Sequence, residues 1–118
     1  MTRAIVNAHC ATLPGAEVSD PWGGGHDAWK VGGKMFASIG TMDTGVSVKC
    51  PDIETAALLI DMGRAARAPY FHRSGVHLPW GRVDEAELRD RLTTSYRIIR
   101  AGLTKRVQAA LPPLPDQG

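Results

Sequence analysis

The sequence predicts an α+β domain, a two-layer sandwich in which an antiparallel sheet of about five strands packs against helices. Three observations support this class. Two strand-like runs flank a two-glycine turn between Trp29 and Gly40, a helical pattern separates this hairpin from a second one, and the longest helical periodicity comes last. Elements joined by short connections pack as antiparallel neighbours. A parallel, doubly wound fold would need more alternation of strands and helices.

The size and composition of the chain fit one domain. Its 118 residues are 43% apolar, which is enough for one core, and we expect the domain at residues 1–111 and a Pro-rich tail at 112–118. The chain has no long apolar run and no signal-peptide pattern, so we expect a cytoplasmic protein without a membrane segment. Cys10 and Cys50 stand in no ligand spacing, and we expect free thiols that are at least half-buried.

The first elements precede the hairpin. Thr2 can cap a helix that runs to about Leu13, because Pro14 and the glycine after it stop a helix. An extended segment, Glu17 to Trp22, follows. Three glycines at Gly23–Gly25 then lead into a strand, whereas a phosphate-binding loop leads into a helix, so the sequence does not predict a nucleotide cradle.

Gly32 and Gly33 predict the hairpin turn, because glycine most easily supplies the positive φ angles of a type I′ turn. A two-residue loop sets three pairs opposite one another: Val31 with Lys34, Lys30 with Met35, and Trp29 with Phe36. This register puts the aromatic pair on one face, and the other face then carries Met35, Ala37 and Ile39. We therefore expect both faces of the hairpin to be apolar.

The next elements are a third strand, a helix and a second hairpin. The alternating run Val46 to Cys50 reads as a strand that pairs with the second arm of the first hairpin. Asp52 caps a helix that ends at Gly63. Strand-like runs at about 68–72 and 76–80, joined by residues 73–75, predict the second hairpin.

The last segment has the strongest helical pattern. Asp84 is its cap, with Glu87 as a capping-box partner. Apolar residues recur at spacings of three and four: Leu88, Leu92, Tyr96, Ile99, Leu103 and Val107. The pattern predicts either one long helix or two helices with a bend near Gly102. Ser95 lies at the rim of this apolar arc, where a hydroxyl usually bonds to a carbonyl one turn back.

The charge is uneven along the chain. The net charge of +2 does not by itself imply a polyanionic partner, but residues 64–106 hold ten basic and four acidic residues. This segment is either an ordinary solvated helical face or a basic binding face. The basic face would carry the nucleic-acid contacts, for which we name Lys30, Lys34, Lys49, Arg73, Arg89, Arg97, Arg100, Lys105 and Arg106.

No catalytic or metal-binding set emerges from the sequence. His72 and His77 bracket a hairpin turn without a third ligand at a matching spacing, and no base is placed to activate Ser95. The pairs His9–Cys10 and His26–Asp27 are adjacent, so their side chains diverge. We therefore expect a non-enzymatic protein without cofactor or metal.

Two partner classes remain open. The basic residues would neutralise phosphates, and with no element that reads base edges we expect any DNA binding to be weak and nonspecific. Aromatic residues that could stack bases are Trp22, Trp29, Tyr70, Phe71 and Trp80, although we assign Trp29 and Phe36 to the core. The alternative is a protein or peptide contact, or a homodimer, through an apolar sheet face or edge.

Several segments together resemble the MmcQ/YjbR family of small bacterial proteins, which are often labelled DNA-binding. They are LPGAEVSDPW, WKVGGKMFASIG, VSVKCP, APYFHRSGVHLPW and ELRDRLTTSYRIIRAGLTKRV, the last with Ser95 and Tyr96. The resemblance implies an antiparallel sheet backed by helices, similar to type III secretion chaperones and frataxin-like folds. It implies no catalytic residues. One departure is Gly75, where the family commonly carries a tryptophan.

Overall fold

The computed structural model of the chain describes residues 3–20, 23–68 and 71–114, in which four helices and six strands form the predicted α+β fold. The helices are α1 (Arg3–Cys10), α2 (Ile53–Asp61), α3 (Glu85–Ala101) and α4 (Lys105–Ala110). The strands are β1 (Glu17–Ser19), β2 (Asp27–Val31), β3 (Lys34–Ile39), β4 (Gly45–Lys49), β5 (Ala66–Arg67) and β6 (Gly75–Pro79). They form one antiparallel sheet in the order β1-β2-β3-β4-β6-β5.

The first hairpin turns at Gly32 and Gly33 as predicted, but its register shifts beyond the first two pairs. Val31 lies opposite Lys34 and Lys30 opposite Met35, whereas Trp29 lies opposite Ala37. Phe36 is therefore the extra residue of a β-bulge.

The bulge corrects the predicted faces of the hairpin, because one extra residue reverses the alternation beyond it. Ala37 and Ile39 lie on the same face as Trp29, and all three are buried. Apart from Met35 opposite Lys30, the other face carries small or polar side chains: Ala28 pairs with Ser38, Ser38 with Ser47, and Ser47 with His77. The prediction that both faces are apolar is therefore wrong.

The helices cover the face that carries Trp29. The Trp29 indole donates a hydrogen bond of 2.8 Å to Asn7 Oδ1 on α1. Phe36 meets the ring of Tyr96 on α3 edge to face, with the ring centroids 5.4 Å apart. The core lies between α1, α3 and this sheet face, and α2 covers β5 and β6 beside them.

The first helix is shorter than predicted. It ends at Cys10, and the chain continues to Leu13 through bonds from Thr12 N to His9 O and from Leu13 N to Cys10 O. These link residues three apart, so the helix tightens and stops. The predicted cap Thr2 lies outside the described residues.

The second hairpin also differs from its prediction. Its first strand is Ala66–Arg67, and residues 71–74 form a turn that Gly75 N closes by donating to His72 O at 2.7 Å. The Cβ of Phe71 occupies the space that a Cβ on Gly75 would need, so only glycine fits at this position. The turn therefore replaces the predicted strand at 71–72.

The helix caps follow the sequence. Asp52 accepts a hydrogen bond from Thr55 N at 2.7 Å, and Asp84 accepts one from Glu87 N at 2.8 Å. The last segment is two helices that separate at Gly102, the second of the two predicted arrangements. The Glu87 carboxylate bonds to Arg64 and Arg91, so the predicted capping-box bond from Asp84 N to this side chain is not among the described hydrogen bonds.

Both cysteines are buried free thiols, as predicted. Burial raises the pKa of Cys10 to about 12, and it also raises the pKa of Cys50. Across residues 3–20, 23–68 and 71–114, no helix combines the length and the apolar character needed to cross a membrane.

Candidate nucleic-acid interface

Basic residues from several elements meet at one end of the sheet. In an antiparallel sheet, the turn between β2 and β3 lies at the same end as the last residue of β4 and the first residue of β6. Lys30 and Lys34 flank this turn, Lys49 ends β4, and Arg73 comes two residues before β6. The strand order therefore brings together cations that are far apart in the sequence.

The helix α4 adds two more cations at the same end. Leu103 Cδ1 and Val107 Cγ1 lie 2.5 and 2.9 Å from the position that a Cβ on Gly32 would take, so the start of α4 packs on the hairpin turn. Lys105 and Arg106 form the exposed first turn of this helix. We call Lys30, Lys34, Lys49, Arg73, Lys105 and Arg106 the basic end.

The side chains of the basic end form no salt bridge in the described part of the chain. Lys49 Nζ donates to the neutral Ser74 Oγ at 2.8 Å. The register places Glu17 opposite Lys30. Elsewhere, salt bridges to carboxylates hold four arginines: Arg3, Arg64, Arg89 and Arg91.

The predicted interface residue Arg100 is a structural residue. Its side chain is 7% exposed, and its guanidinium donates to Tyr96 Oη at 2.9 Å and to the Pro112 carbonyl at 2.7 Å. Tyr96 Oη in turn donates to the Pro14 carbonyl at 2.5 Å. Arg100 lies one turn after Tyr96, and this spacing turns it inward. Its prediction as a nucleic-acid contact is therefore corrected.

The other two arginines predicted on α3 lie apart from the basic end or are half-buried. Arg89 is exposed in the first half of α3 and pairs with Glu85 at 2.9 Å. Arg97 is half-buried, and its Nε is buried without a hydrogen-bond partner in the described structure. Arg89, Arg97 and Arg100 thus do not share one exposed surface, which corrects this part of the predicted basic face.

Ser95 has a role that the sequence reasoning missed. Its hydroxyl donates to the Phe36 carbonyl at 2.6 Å and accepts from Lys49 N at 2.8 Å. These backbone groups of β3 and β4 lie beside the bulge, where the regular ladder is interrupted. The prediction that this hydroxyl bonds to a carbonyl one turn back along the helix is wrong. The sequence feature that could have indicated its contact with the sheet is a hydroxyl beside the apolar stripe of the helix.

The histidines occupy separate environments. His77 contacts Ser47 Oγ at 3.1 Å and Thr44 Oγ1 at 3.3 Å, and burial lowers its pKa. His9 contacts Thr93 Oγ1 at 2.7 Å, and its pKa is lowered by burial and by the nearby Arg89 charge. Among the residues with described positions, no group of three or more His, Cys, Asp or Glu side chains could hold a metal ion.

The aromatic residues leave few surfaces for base stacking. Trp29 and Phe36 are buried in the core, as predicted. Trp80 donates its indole N–H to the Asp43 carbonyl at 2.7 Å and is half-buried, as is Phe71. Trp22 and Tyr70 lie outside the described residues.

Comparison with known proteins decides the family. A family model described as YjbR matches residues 11–98, most of the chain. The chain belongs to the YjbR family. The matched region of this YjbR-family chain runs from the residue after α1 to the last turns of α3, so it includes the whole sheet and Ser95.

A solved structure has the same fold as this YjbR-family chain. It is the crystal structure of the Deinococcus radiodurans protein DR2400, whose family-model domain is DUF419. The two chains superpose with a TM-score of 0.83 at 22% identity, over 99% of this chain and 94% of that one. At this identity the likeness shows the fold alone. No curated protein matches the chain.

Proposed function

We propose that the protein binds nucleic acid weakly and without sequence preference through the basic end, and that it is a non-enzymatic, cytoplasmic protein. The observation that carries this proposal is the convergence of six cations that form no salt bridge in the described structure. Unpaired Lys and Arg side chains neutralise phosphates and release counterions, and this release is the main source of nonspecific affinity.

The shape of the basic end supports contact with the backbone of the nucleic acid. Neighbouring strands lie about 4.8 Å apart, so the cations from β3 to β6 spread over about 10 Å. The hairpin turn itself is Gly32–Gly33 and presents no side chain to a groove. Contacts to phosphates without contacts to base edges give affinity without sequence readout.

A matched pair of variants tests the proposal. Lys34→Gln/Lys105→Gln removes two charges from the basic end, and Arg82→Gln/Arg89→Gln removes two charges outside it. Binding to a labelled mixed-sequence duplex and to single-stranded DNA is measured by fluorescence anisotropy at low salt. We expect the first variant to weaken binding by about tenfold and the second by less than about twofold.

The control and the contrary outcomes are equally direct. Circular dichroism must show the same fold for both variants. Equal losses for the two variants would mean that only net charge matters and that the basic end is not the interface. Absence of binding by the unmodified protein at low salt would remove the proposal altogether.

The second candidate function is pairing with a peptide or a second copy at the edge strand β1. All three residues of β1 are exposed, and Val18 is 48% exposed. An open edge strand is a template for strand addition. Light scattering over a range of concentrations, with Val18→Lys as the variant, tests this candidate, because a strand contact should survive salt that abolishes phosphate binding.

A further inference from the structure

We propose that a cleft between α2 and the turn before β6 binds a small organic anion with an apolar body, such as an aromatic monocarboxylate. The cleft has a volume of about 300 Å³, at the lower end of the range for small-molecule sites. Of the residues that line the cleft, only Arg73 also belongs to the basic end. The inference therefore goes beyond the proposed nucleic-acid function.

The apolar wall of the cleft comes from α2 and the turn. Ile53, Ala57 and Ile60 follow one another at spacings of four and three, so they lie along one side of α2. Ile53 is 41% exposed although it is apolar. Phe71 and Gly75 line the cleft across from the helix, with Phe71 packed against the Gly75 backbone.

The polar part of the wall is cationic. Arg67 and Arg73 line the cleft together with His72, and the described residues that line it include no acidic side chain. The register places Arg67 beside Val76 on the side of the sheet where α2 packs, and because Arg67 is on an edge strand it also borders the opposite face beside Ser47 and His77. Neither arginine forms a salt bridge within the described residues. Two unpaired guanidinium groups beside an apolar surface complement a carboxylate that is attached to an apolar body.

The size of the cleft selects a small acid. A cavity of this volume holds one or two rings but leaves little room for a larger ligand. The apolar body would cover the exposed part of Ile53 and Ala57, and the carboxylate would accept hydrogen bonds from an arginine at the rim. Affinity for so small a ligand is modest, with a Kd of about 1 mM.

The test uses naphthoate as the probe and naphthamide as its uncharged counterpart. Each compound is titrated into the full-length protein while backbone amide shifts are followed by NMR. We expect naphthoate to shift residues of α2 and of the turn at 71–75, and naphthamide to bind about tenfold more weakly. Equal affinities for the two compounds, or shifts elsewhere in the molecule, would overturn the anion site.

Two variants locate the site within the cleft. Ala57→Leu adds a larger side chain to the apolar wall, which reduces the space in the cleft, and should weaken naphthoate binding by about tenfold or more. Its control is Ala86→Leu at an exposed position of α3, which should leave naphthoate binding unchanged. Arg67→Gln should weaken naphthoate binding but not naphthamide binding, and Arg89→Gln is its charge-matched control. Unchanged naphthoate affinity in Ala57→Leu would overturn the proposal.

The outcomes separate this site from the basic end. Neither Arg67 nor Ala57 belongs to the basic end, so their variants should keep the DNA affinity of the unmodified protein. Loss of naphthoate binding with intact DNA binding supports the cleft as an independent site. The same titration is made with a peptide that ends in phenylalanine with a free carboxylate. If this peptide binds more tightly than naphthoate, the ligand is the C-terminus of a peptide, and the assignment of a small acid is overturned.

Discussion

One hydroxyl, that of Ser95, joins two strands to a helix. It bonds to a carbonyl of β3 and an amide of β4 next to the pair Ala37–Val48, beside the bulge at Phe36. Buried backbone groups without partners are costly, so a side chain that serves two of them stabilises the bulge itself. The adjacent Tyr96 and the buried Arg100 tie α3 to two loops in the same way. The Ser-Tyr pair is thus a structural feature of this chain.

Ser95→Ala should lower the free energy of unfolding by about 3 kcal/mol, because it removes the hydroxyl's two hydrogen bonds, one to a buried carbonyl and one to a part-buried amide. Urea denaturation measures this loss. The control is Thr94→Ala at the next position of α3, where no side-chain hydrogen bond occurs within the described structure. An equal effect of the two substitutions would contradict the role of the Ser95 hydroxyl.

The two partly buried histidines predict how stability depends on pH. Burial lowers the pKa of His77 and His9, so the unfolded chain binds their protons more readily than the folded protein does. Above the unfolded pKa of about 6.5, histidine is neutral in both states and the free energy of unfolding is at its highest with respect to these two residues. It falls as the pH decreases below that value.

We therefore expect the free energy of unfolding to decrease when the pH is lowered from about 7 to about 5, by at most about 1.4 kcal/mol per pH unit for each histidine. Urea denaturation at several pH values measures the slope. His9→Asn/His77→Asn should flatten it in this range. His72→Asn, at an exposed position, is the control, and a slope that persists in the double variant would contradict the assignment.

Among the elements, the first hairpin needs glycine at two adjacent positions for different reasons. Both positions need a positive φ angle, and one of them also contacts α4. Gly32 and Gly33 both have positive φ angles, 57° and 82°, which glycine adopts without strain. They differ in surroundings, because Gly32 faces Leu103 and Val107 whereas Gly33 faces open space. The turn therefore also forms the surface on which α4 packs.

Gly33→Ala should cost about 1 kcal/mol, the strain of a non-glycine residue at positive φ, whereas Gly32→Ala should cost about 3 kcal/mol because its Cβ also collides with α4. Thermal or urea denaturation of the two variants compares them directly. Equal costs would mean that α4 moves away from the turn without loss, and that it contributes little to the fold.

At the scale of the whole molecule, strand order decides where charge accumulates. The cations of the basic end come from residues 30–106, and only the arrangement of β2, β3, β4, β6 and α4 brings them to one end. Of the eight arginines elsewhere, four form salt bridges with carboxylates: Arg3, Arg64, Arg89 and Arg91. If the basic end binds DNA, the affinity for DNA should therefore depend strongly on the salt concentration.

For the unmodified protein, the logarithm of the DNA association constant should fall linearly with the logarithm of the salt concentration. Lys34→Gln/Lys105→Gln should reduce this slope by about 1.8 for a duplex, about 0.9 for each phosphate contact removed. Arg82→Gln/Arg89→Gln should leave the slope unchanged. Anisotropy titrations at four salt concentrations measure both slopes, and an unchanged slope in the first variant would place the contacts elsewhere.

The structural signals that can be read from the sequence alone are local. The glycine turn, the caps Asp52 and Asp84 and the periodicity of the last helix specify the elements, because each depends on residues within a few positions of one another. Together with the family resemblance, they were enough for the α+β class and the antiparallel sheet.

Only the tertiary structure decided the bulge at Phe36, the burial of Arg100, and the grouping of cations at one end. Each depends on contacts between distant segments: Ser95 with β3 and β4, Arg100 with Pro112, and α4 with the hairpin turn. A sequence pattern shows how residues are spaced along one element but not which element lies opposite. The faces of the hairpin and the surface of the basic end were therefore set by packing between elements.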